Sequence, residues 1–288
     1  MKTAKLKLLT SMAIFGTVGI FVKGIPLPSA TIAFSRAVLG LAFLLLFMAA
    51  TGKKIDYSVL KKHFGVLCLS GVALGCNWIL LFEAYRFTTV ATATICYYLA
   101  PMFIVLVSPL LGEKLTGKKI LCIAAALLGM VFVSGVLQGG ISGLAGIGMG
   151  VAAAVLYATV VILNKRLTEI DAYDKTAIQL GIAAVVILPY ILISSGLDVR
   201  GMQPVNWVLL TVVGVVHTGI AYSLYFGSTK DLSTQTLAIF SYLDPVISIL
   251  LSALLLKEQL DLFGIIGAVL ILGSALYSEL PAKNKTSP

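Results

Sequence analysis

Tyr98-Leu99-Ala100-Pro101 opens an apolar run that ends at Glu113, and Tyr242-Leu243-Asp244-Pro245 opens a second apolar run that ends at Glu258. The two blocks differ in length by one residue. One further apolar segment follows each block, at positions 120–136 and 262–278. A pattern that recurs in this order indicates a duplicated half, in which each half ends with the same pair of elements.

The composition is typical of a membrane protein. The chain has 288 residues, of which 59% are hydrophobic and 11% are charged, and one soluble core could not bury so much apolar surface. A helix needs about 20 apolar residues to cross ~30 Å of hydrocarbon. Ten segments of this kind can be placed: 6–22, 29–50, 64–84, 89–112, two within 120–164, 176–194, 207–228, 232–256 and 262–278.

The glycine-rich stretch 138–143 divides the long segment 120–164 and marks a boundary between halves. We therefore expect a first five-helix repeat at 1–138, a second at 143–280, and a cytoplasmic tail at 281–288. Because five is odd, the second half enters the membrane from the opposite side. The predicted fold is an all-α integral membrane protein with ten transmembrane helices arranged as two inverted five-helix repeats, an architecture typical of transporters.

The distribution of positive charge predicts the orientation. With a cytoplasmic N-terminus, most of the 21 Lys and Arg fall in inner loops, so both termini are expected in the cytoplasm. The net charge of +9 then faces anionic membrane lipid rather than nucleic acid, which we do not expect as a partner. No small-residue cleavage site follows the first apolar segment, which is therefore predicted as a retained helix rather than a signal peptide.

Asp244 is the strongest candidate for a substrate-binding or coupling residue. It lies in the middle of the ninth segment beside Pro245, and a charge there costs about 2.5 kcal/mol or more unless it faces a cavity or a partner. A proline removes a helical N–H, so Pro245 and its counterpart Pro101 are predicted helix breaks. Asp244 could bind a substrate amine or take up a proton. The alternative is a hydrogen bond to Ser, Thr or Tyr of a neighbouring helix.

Arg36 and Glu83 are expected near the outer ends of the second and third segments. As an ion pair they would close or shape an outer vestibule, and the alternative is a structural salt bridge without a role in transport. Arg36 could instead hold a substrate carboxylate, because its planar guanidinium suits bidentate contact.

Several further polar and aromatic residues fall at comparable depths in their segments. A lone histidine such as His217 is an interhelical hydrogen-bonding residue more often than a titrating one, and both roles stay open for it. An aromatic-rich cavity would suit flat or cationic cargo, with Tyr98 and Tyr242 as the first candidates to line it. The remaining candidates for this cavity are Asn77, Trp78, Tyr97, Tyr222 and Tyr225.

Small residues are predicted to serve packing. Gly71 with Gly75, and Gly146 with Gly150, have the spacing that lets helices approach closely, within one chain rather than between two. The four cysteines, Cys68, Cys76, Cys96 and Cys122, all lie in apolar segments and are predicted as packing residues, not disulfides or metal ligands.

No enzyme signature is present. The two histidines, His63 and His217, lie in different elements and form no His-Glu-x-x-His motif. The chain also lacks the Gly-x-x-x-x-Gly-Lys phosphate loop and the Gly-x-Ser-x-Gly nucleophile motif. We expect no catalytic residue, no metal and no cofactor.

Several features of the sequence occur together: the order of ten segments, Phe15-Gly16, Arg36, the paired Tyr-Leu-x-Pro blocks, and the stretch 82–91. In this combination the chain resembles the EamA-type branch of the drug/metabolite transporter superfamily. The resemblance implies that segments three, four, eight and nine, helped by one and six, surround a central cavity, while five and ten lie outside it. Asp244 stands where the first half has Ala100, so the cavity need not be symmetric.

The resemblance also implies a function. We expect a secondary transporter of small metabolites in a bacterial plasma membrane, exporting amino acids or related compounds by alternating access. Export of drug-like organic cations is the alternative, and a channel or intramembrane enzyme is much less favoured. Protons are the expected coupling ion, and the chain is expected as a monomer or weak homodimer.

Overall fold

Helices make up nearly all of the described chain, and it contains no strand. The computed structural model describes residues 2–53, 57–107, 109, 116–133, 143–164, 166–194, 199–229, 232 and 240–280. The helices are α1 Lys2–Lys23, α2 Ser29–Ala50, α3 Tyr57–Lys62, α4 Phe64–Phe87, α5 Val90–Tyr97, α6 Ala100–Val107, α7 Gly117–Val133, α8 Leu144–Asn164, α9 Ala172–Ser194, α10 Pro204–Thr211, a π-helical segment Val212–Ile220, α11 Ala221–Thr229, α12 Leu243–Leu255 and α13 Leu262–Glu279.

Seven of the described helical stretches are long and apolar enough to cross a membrane. They are α1, α2, α4, the pair α5 and α6, α8, α9, and the continuous run from α10 into α11. Two shorter apolar helices, Leu243–Leu255 and Leu262–Tyr277, lie at positions where the sequence predicts spans nine and ten. The molecule is therefore an all-helical, multi-pass membrane protein. The predicted glycine-rich boundary at 138–142, Glu113 and the tail at 281–288 lie outside the described residues.

Two helices pack on each other beside the rest of the bundle. α7 and α13 meet where Gly129 faces Gly267, and a Cβ on Gly129 would lie 2.8 Å from the Gly267 carbonyl oxygen. Close approach of two helix backbones needs residues without side chains at the contact. These helices correspond to the predicted spans five and ten.

The two glycine pairs pack against helices of the same chain. A Cβ on Gly71 would lie 2.7 Å from Ile182 of α9, and one on Gly146 would lie 2.9 Å from Thr88. The packing within one chain that the sequence predicts is therefore found at both pairs. All four cysteines are free, and Cys96 and Cys122 are buried among apolar side chains.

The run from α10 to α11 contains the π-helical segment Val212–Ile220, which the sequence pattern does not predict. Two of its side chains contact backbone carbonyls five residues earlier in the chain. The Thr218 hydroxyl donates to the Val213 carbonyl at 3.1 Å, and His217 Nδ1 lies 3.2 Å from the Val212 carbonyl. Segments of this type are rare and often occur at functional sites. Here the turn brings Thr218 toward α2.

Ion pairs hold the end of the bundle that is predicted to be cytoplasmic. Lys53 pairs with Asp171, and Glu169 accepts from Lys62 at 3.0 Å. His63 lies 3.3 Å from the same carboxylate. These hydrogen bonds lower the pKa of the exposed Glu169 carboxyl below its ordinary value.

Candidate functional site

A cavity of about 390 Å³ lies in the middle of the bundle. It is bounded by residues of α1, α2, α4, α5, α6, α8, α11 and α12, and by Ser241 and Tyr242 just before α12. Among the lining residues that the structure describes, none belongs to α7, α9 or α13. The lining comprises Phe15, Val18, Arg36, Leu74, Trp78, Leu81, Tyr85, Thr94, Tyr97, Tyr98, Ala100, Pro101, Ile104, Val105, Tyr157, Val161, Tyr222, Tyr225, Ser241, Tyr242, Asp244 and Ser248.

Asp244 supplies the negative charge of the cavity. It lies in the first turn of α12, and the Tyr98 hydroxyl donates to its Oδ2 at 2.8 Å. The same hydroxyl lies 3.3 Å from the Ser241 carbonyl. Among the described residues no cationic side chain lies within ion-pair distance of Asp244, so its charge is available to a bound group.

The backbone at Asp244 is in direct contact with α1. A Cβ added to Gly16 would lie 2.7 Å from the Asp244 carbonyl oxygen and 2.8 Å from Ile247. Only a glycine leaves room for this approach, which gives a physical reason for the Phe15-Gly16 pair. Phe15 itself lines the cavity and contacts Tyr222, with ring centroids 5.4 Å apart.

Arg36 supplies the positive charge of the cavity. Its side chain is buried, its Nε donates to the Thr218 hydroxyl at 2.8 Å, and its guanidinium lies 4.2 Å from the centre of the Trp78 ring. Phe82 lies further off, at 5.8 Å. A cation stacked on an aromatic face is stabilised by the ring's quadrupole. Thr218 and Trp78 together fix the orientation of this guanidinium.

The expected ion pair between Arg36 and Glu83 is not formed. Glu83 accepts from Ser29 and lies 3.6 Å from Arg86, one helical turn further along α4. Among the described ion pairs, none includes Arg36. The reason is the direction of Arg36, which turns toward Thr218 and the cavity and leaves Glu83 to a partner on its own helix.

Aromatic rings form much of the wall of the cavity that Arg36 and Asp244 line. Tyr98 contacts Tyr97 and Tyr242, with both centroid distances at 6.2 Å. Tyr97 also contacts Tyr157 of α8 at 5.3 Å. Together with Tyr222 and Tyr225 these rings line the cavity, so the structure brings together all five tyrosines that the sequence singles out.

His217 lies outside the cavity. It is 1% exposed, its Nε2 lies 2.7 Å from the Thr17 hydroxyl, and its ring is 4.9 Å from the Phe21 ring. These contacts join α1 to the π-helical segment. Of the two roles that the sequence leaves open, the structure supports the interhelical hydrogen bond.

Asn77 and Trp78 have different positions although they are adjacent. Trp78 lines the cavity under Arg36. Asn77 is fully buried behind the wall, where its amide donates to the Ala153 carbonyl and its Oδ1 lies 3.5 Å from the Tyr97 hydroxyl. Asn77 therefore orients Tyr97 rather than contacting the cavity.

Each of the two prolines lies in the first turn of a helix, just after a break in the helical chain. Pro101 is the second residue of α6 and Pro245 the third of α12, and a proline in a first turn lacks only an N–H that has no helical partner there. In the first block the chain turns at Tyr98 and Leu99, between α5 and α6. The turns place Tyr98 and Asp244 side by side.

Sequence reasoning missed several residues of this site, among them Tyr157, Thr218, Thr94 and Ser248. Tyr157 lines the wall, and Thr218 orients Arg36. Thr94 and Ser248 bond each other at 3.1 Å on the cavity side of α5 and α12. Tyr157 had a detectable signal, since it is the one aromatic residue of α8, whereas the role of Thr218 depends on the π-helical turn.

Comparison with known proteins agrees with this arrangement. The model of the EamA-like transporter family matches the chain twice, over residues 3–135 and 144–278. The uncharacterized transporter YxxF of Bacillus subtilis is 31% identical over 93% of this chain and 87% of that protein. An uncharacterized transporter of Archaeoglobus fulgidus is 24% identical over 96% of each chain.

A solved crystal structure has the same fold, with a TM-score of 0.66 at 23% identity over 96% of each chain. The family and the names of these relatives indicate a transporter rather than an enzyme. With matches that cover nearly its whole length, the chain belongs to the EamA-like transporter family.

Proposed function

We propose that this protein is a secondary carrier that exports amino acids or related small metabolites by alternating access around the central cavity. The observation that carries the proposal is the pair of opposite charges, Arg36 and Asp244, which line one cavity without forming an ion pair. Separated buried charges are stabilised when a bound molecule supplies both counter-charges.

An α-amino acid has the required chemistry. Its carboxylate fits the guanidinium of Arg36, and its ammonium group fits the carboxylate of Asp244. The tyrosine rings of the cavity wall would contact the amino-acid side chain, and aromatic surfaces favour flat or apolar groups. The cavity volume of about 390 Å³ is in the range of small-molecule sites.

Two inverted five-helix repeats would provide the alternating access. The family model matches each half once, and the packing of the helices supports the same relation. α2 packs on α9 and α7 on α13, which pairs each helix with its counterpart in the other half. The contact of α4 with α8 likewise corresponds to that of α1 with α11. Such corresponding helix contacts are expected when a two-fold axis in the membrane plane relates the two halves.

Export of organic cations is the second candidate. It is favoured by the tyrosine walls beside Asp244, because aromatic faces and a carboxylate together bind cations. The two candidates make different predictions for Arg36, because an organic cation has no negative group to bind the guanidinium. A carrier for cations should therefore work without the guanidinium, and a carrier for amino acids should not.

We propose a bacterial plasma membrane as the location, with both termini in the cytoplasm. The distribution of Lys and Arg supports this orientation. Protons are the proposed coupling ion, with Asp244 as the group that takes up the proton. We also propose that the protein is a monomer or a weak homodimer.

Uptake into proteoliposomes tests the proposal. A panel of radiolabelled amino acids is offered with and without an imposed pH gradient, to wild type and to Asp244→Asn. The proposal predicts saturable uptake that the gradient stimulates and that the variant loses. If folded protein takes up organic cations but no amino acid, the second candidate replaces the first.

A further inference from the structure

Glu258 connects three helices at the end of the bundle that is predicted to face outward. Its Oε2 accepts from the backbone N–H of Val90 at 2.8 Å, at the start of α5, and from the Ser252 hydroxyl in α12. Its Oε1 pairs with Lys23 at the end of α1. The Glu258 side chain is only 9% exposed, so these contacts are less weakened by water than those of a surface ion pair.

The backbone before Glu258 turns the side chain into this position. Lys257 has a φ of +55°, a left-handed conformation that is rare for residues other than glycine. The Glu258 N–H then bonds back to the Ser252 carbonyl at 3.3 Å, as at the end of a capped helix. Such strain persists where the surrounding structure determines it, and it often marks a functional position.

A second cavity, of about 460 Å³, lies next to Lys23. It is bounded by the turn between α1 and α2 and by the end of α4, and we name it the outer vestibule. Tyr85 lines both the outer vestibule and the central cavity. Since the buried Tyr85 borders both spaces, its side chain forms part of the wall between them.

The Glu258 contacts and the Tyr85 wall meet at Gly19 of α1. A Cβ on Gly19 would lie 3.4 Å from the Tyr85 Cζ and 2.5 Å from the Val90 Cγ1. Val90 is also the residue whose N–H is held by Glu258. A movement of α5 away from α1 would therefore release Glu258 and loosen the packing around Tyr85 together.

We propose that Glu258 and Tyr85 form an outer gate, in which the contacts of Glu258 hold the gate closed and the Tyr85 ring blocks the path. While Glu258 holds α1, α5 and α12 together, Tyr85 keeps the central cavity closed toward the outer vestibule. When the contacts of Glu258 break, the Tyr85 ring can move, and the two cavities join into an exit path for cargo. This inference rests on the proposed function, since a gate of this kind operates in a carrier.

Reaction of single cysteines with a membrane-impermeant thiol reagent tests the gate. The four native cysteines are replaced by alanine, and Val18→Cys then reports on the central cavity, whereas Pro26→Cys reports on the outer vestibule. Labelling rates are measured from each membrane face in oriented vesicles. The variants are Glu258→Gln, Glu258→Ala and Tyr85→Ala. Glu169→Gln is the matched control, because it removes an ion-paired carboxylate from the opposite end of the bundle.

We expect Glu258→Ala to raise the labelling rate of Val18→Cys from the vestibule face several-fold. Glu258→Gln should give a smaller rise, since its amide oxygen still accepts from Val90 while the pair with Lys23 is lost. Tyr85→Ala should raise the rate with Glu258 intact, and Glu169→Gln should leave it unchanged. Unchanged Val18→Cys rates in both Glu258 variants, with normal labelling of Pro26→Cys, would overturn the proposal.

Two features keep this test separate from the test of function. The conservative Glu258→Gln variant, checked as a monodisperse protein in detergent, remains informative if Glu258→Ala does not fold. Labelling requires no cargo, so the Glu258 effect can appear even when no amino acid is taken up, and only the cargo assignment then fails. Normal uptake with no effect of Glu258 on labelling contradicts the gate alone.

Discussion

The orientation of single side chains decides what the central cavity can bind. The Arg36 guanidinium is held by hydrogen bonds to Thr218 and Tyr222 and by the face of Trp78. Hydrogen bonds to a charged group contribute about 1.5–3 kcal/mol each. Thr218 is thus a positioning residue for Arg36 rather than a residue of the cavity wall.

Thr218→Val should weaken amino-acid transport by misplacing Arg36. The substitution keeps the shape of the side chain but removes the oxygen that accepts from Arg36 Nε. We expect a higher KM with a smaller change in the maximal rate, because binding is affected more than the subsequent conformational change. Thr218→Ser, which keeps the hydroxyl, is the matched control. Equal KM values for all three proteins would contradict the positioning role.

Asp244→Asn should abolish transport that depends on a pH gradient. The amide has nearly the shape of the carboxylate and its oxygen still accepts from the Tyr98 hydroxyl, but it carries no charge and takes up no proton. Tyr98→Phe removes only the donor and should keep gradient-driven uptake at reduced affinity. The measurement is initial uptake rate against pH difference; a normal response in Asp244→Asn would show that the coupling group lies elsewhere.

At the scale of elements, α1 and α12 are packed so closely that the contact excludes a single methyl group. Gly16→Ala should destabilise the protein by about 1–3 kcal/mol, because the new Cβ meets the Asp244 carbonyl and Ile247. Thermal unfolding in detergent measures the change. Gly273→Ala is the control, since a Cβ on this α13 glycine meets nothing within 4 Å and should be neutral or slightly stabilising. Equal unfolding temperatures for Gly16→Ala and wild type would contradict the packing.

The sequence predicts some elements well and others not at all. Uncharged runs between charged or glycine-rich turns predict the positions of α1, α2, α4, α8 and α9, because bilayer thickness fixes the length of a span. The π-helical segment is not predictable from the same signal. Hydrophobicity along 204–229 is continuous, and one extra residue per turn leaves no trace in a segment that has no charged residue.

Some residues of the candidate site are predictable from the sequence, and others are not. Asp244 and Arg36 are predictable because an ionisable group in an apolar run is expensive without a reason. Their partners are less predictable, since Arg36 has more than one residue within reach and the π-helical turn presents Thr218 to it. Composition alone does not separate His217, which joins two helices, from a residue of the cavity.

At the scale of the whole molecule, the proposed orientation makes a testable statement about both ends of the chain. A green fluorescent protein fused to the C-terminus should fluoresce in bacterial cells, and an alkaline phosphatase fused there should be inactive, because the tail is predicted to be cytoplasmic. A second phosphatase fusion in the turn between α1 and α2 is the control and should be active. Active phosphatase at the C-terminus would contradict an even number of spans with a cytoplasmic N-terminus.

In the proposed function, Arg36 and Asp244 bind opposite ends of one cargo molecule. The most direct measurement is competition against the binding of labelled phenylalanine to purified protein, which does not require transport. The competitors are phenethylamine, which lacks the carboxylate, and 3-phenylpropanoate, which lacks the amine. We predict that both compete poorly in wild type, that the amine competes as well as phenylalanine in Arg36→Gln, and that the acid does so in Asp244→Asn. An order of competition that is the same in wild type and both variants would contradict the claim.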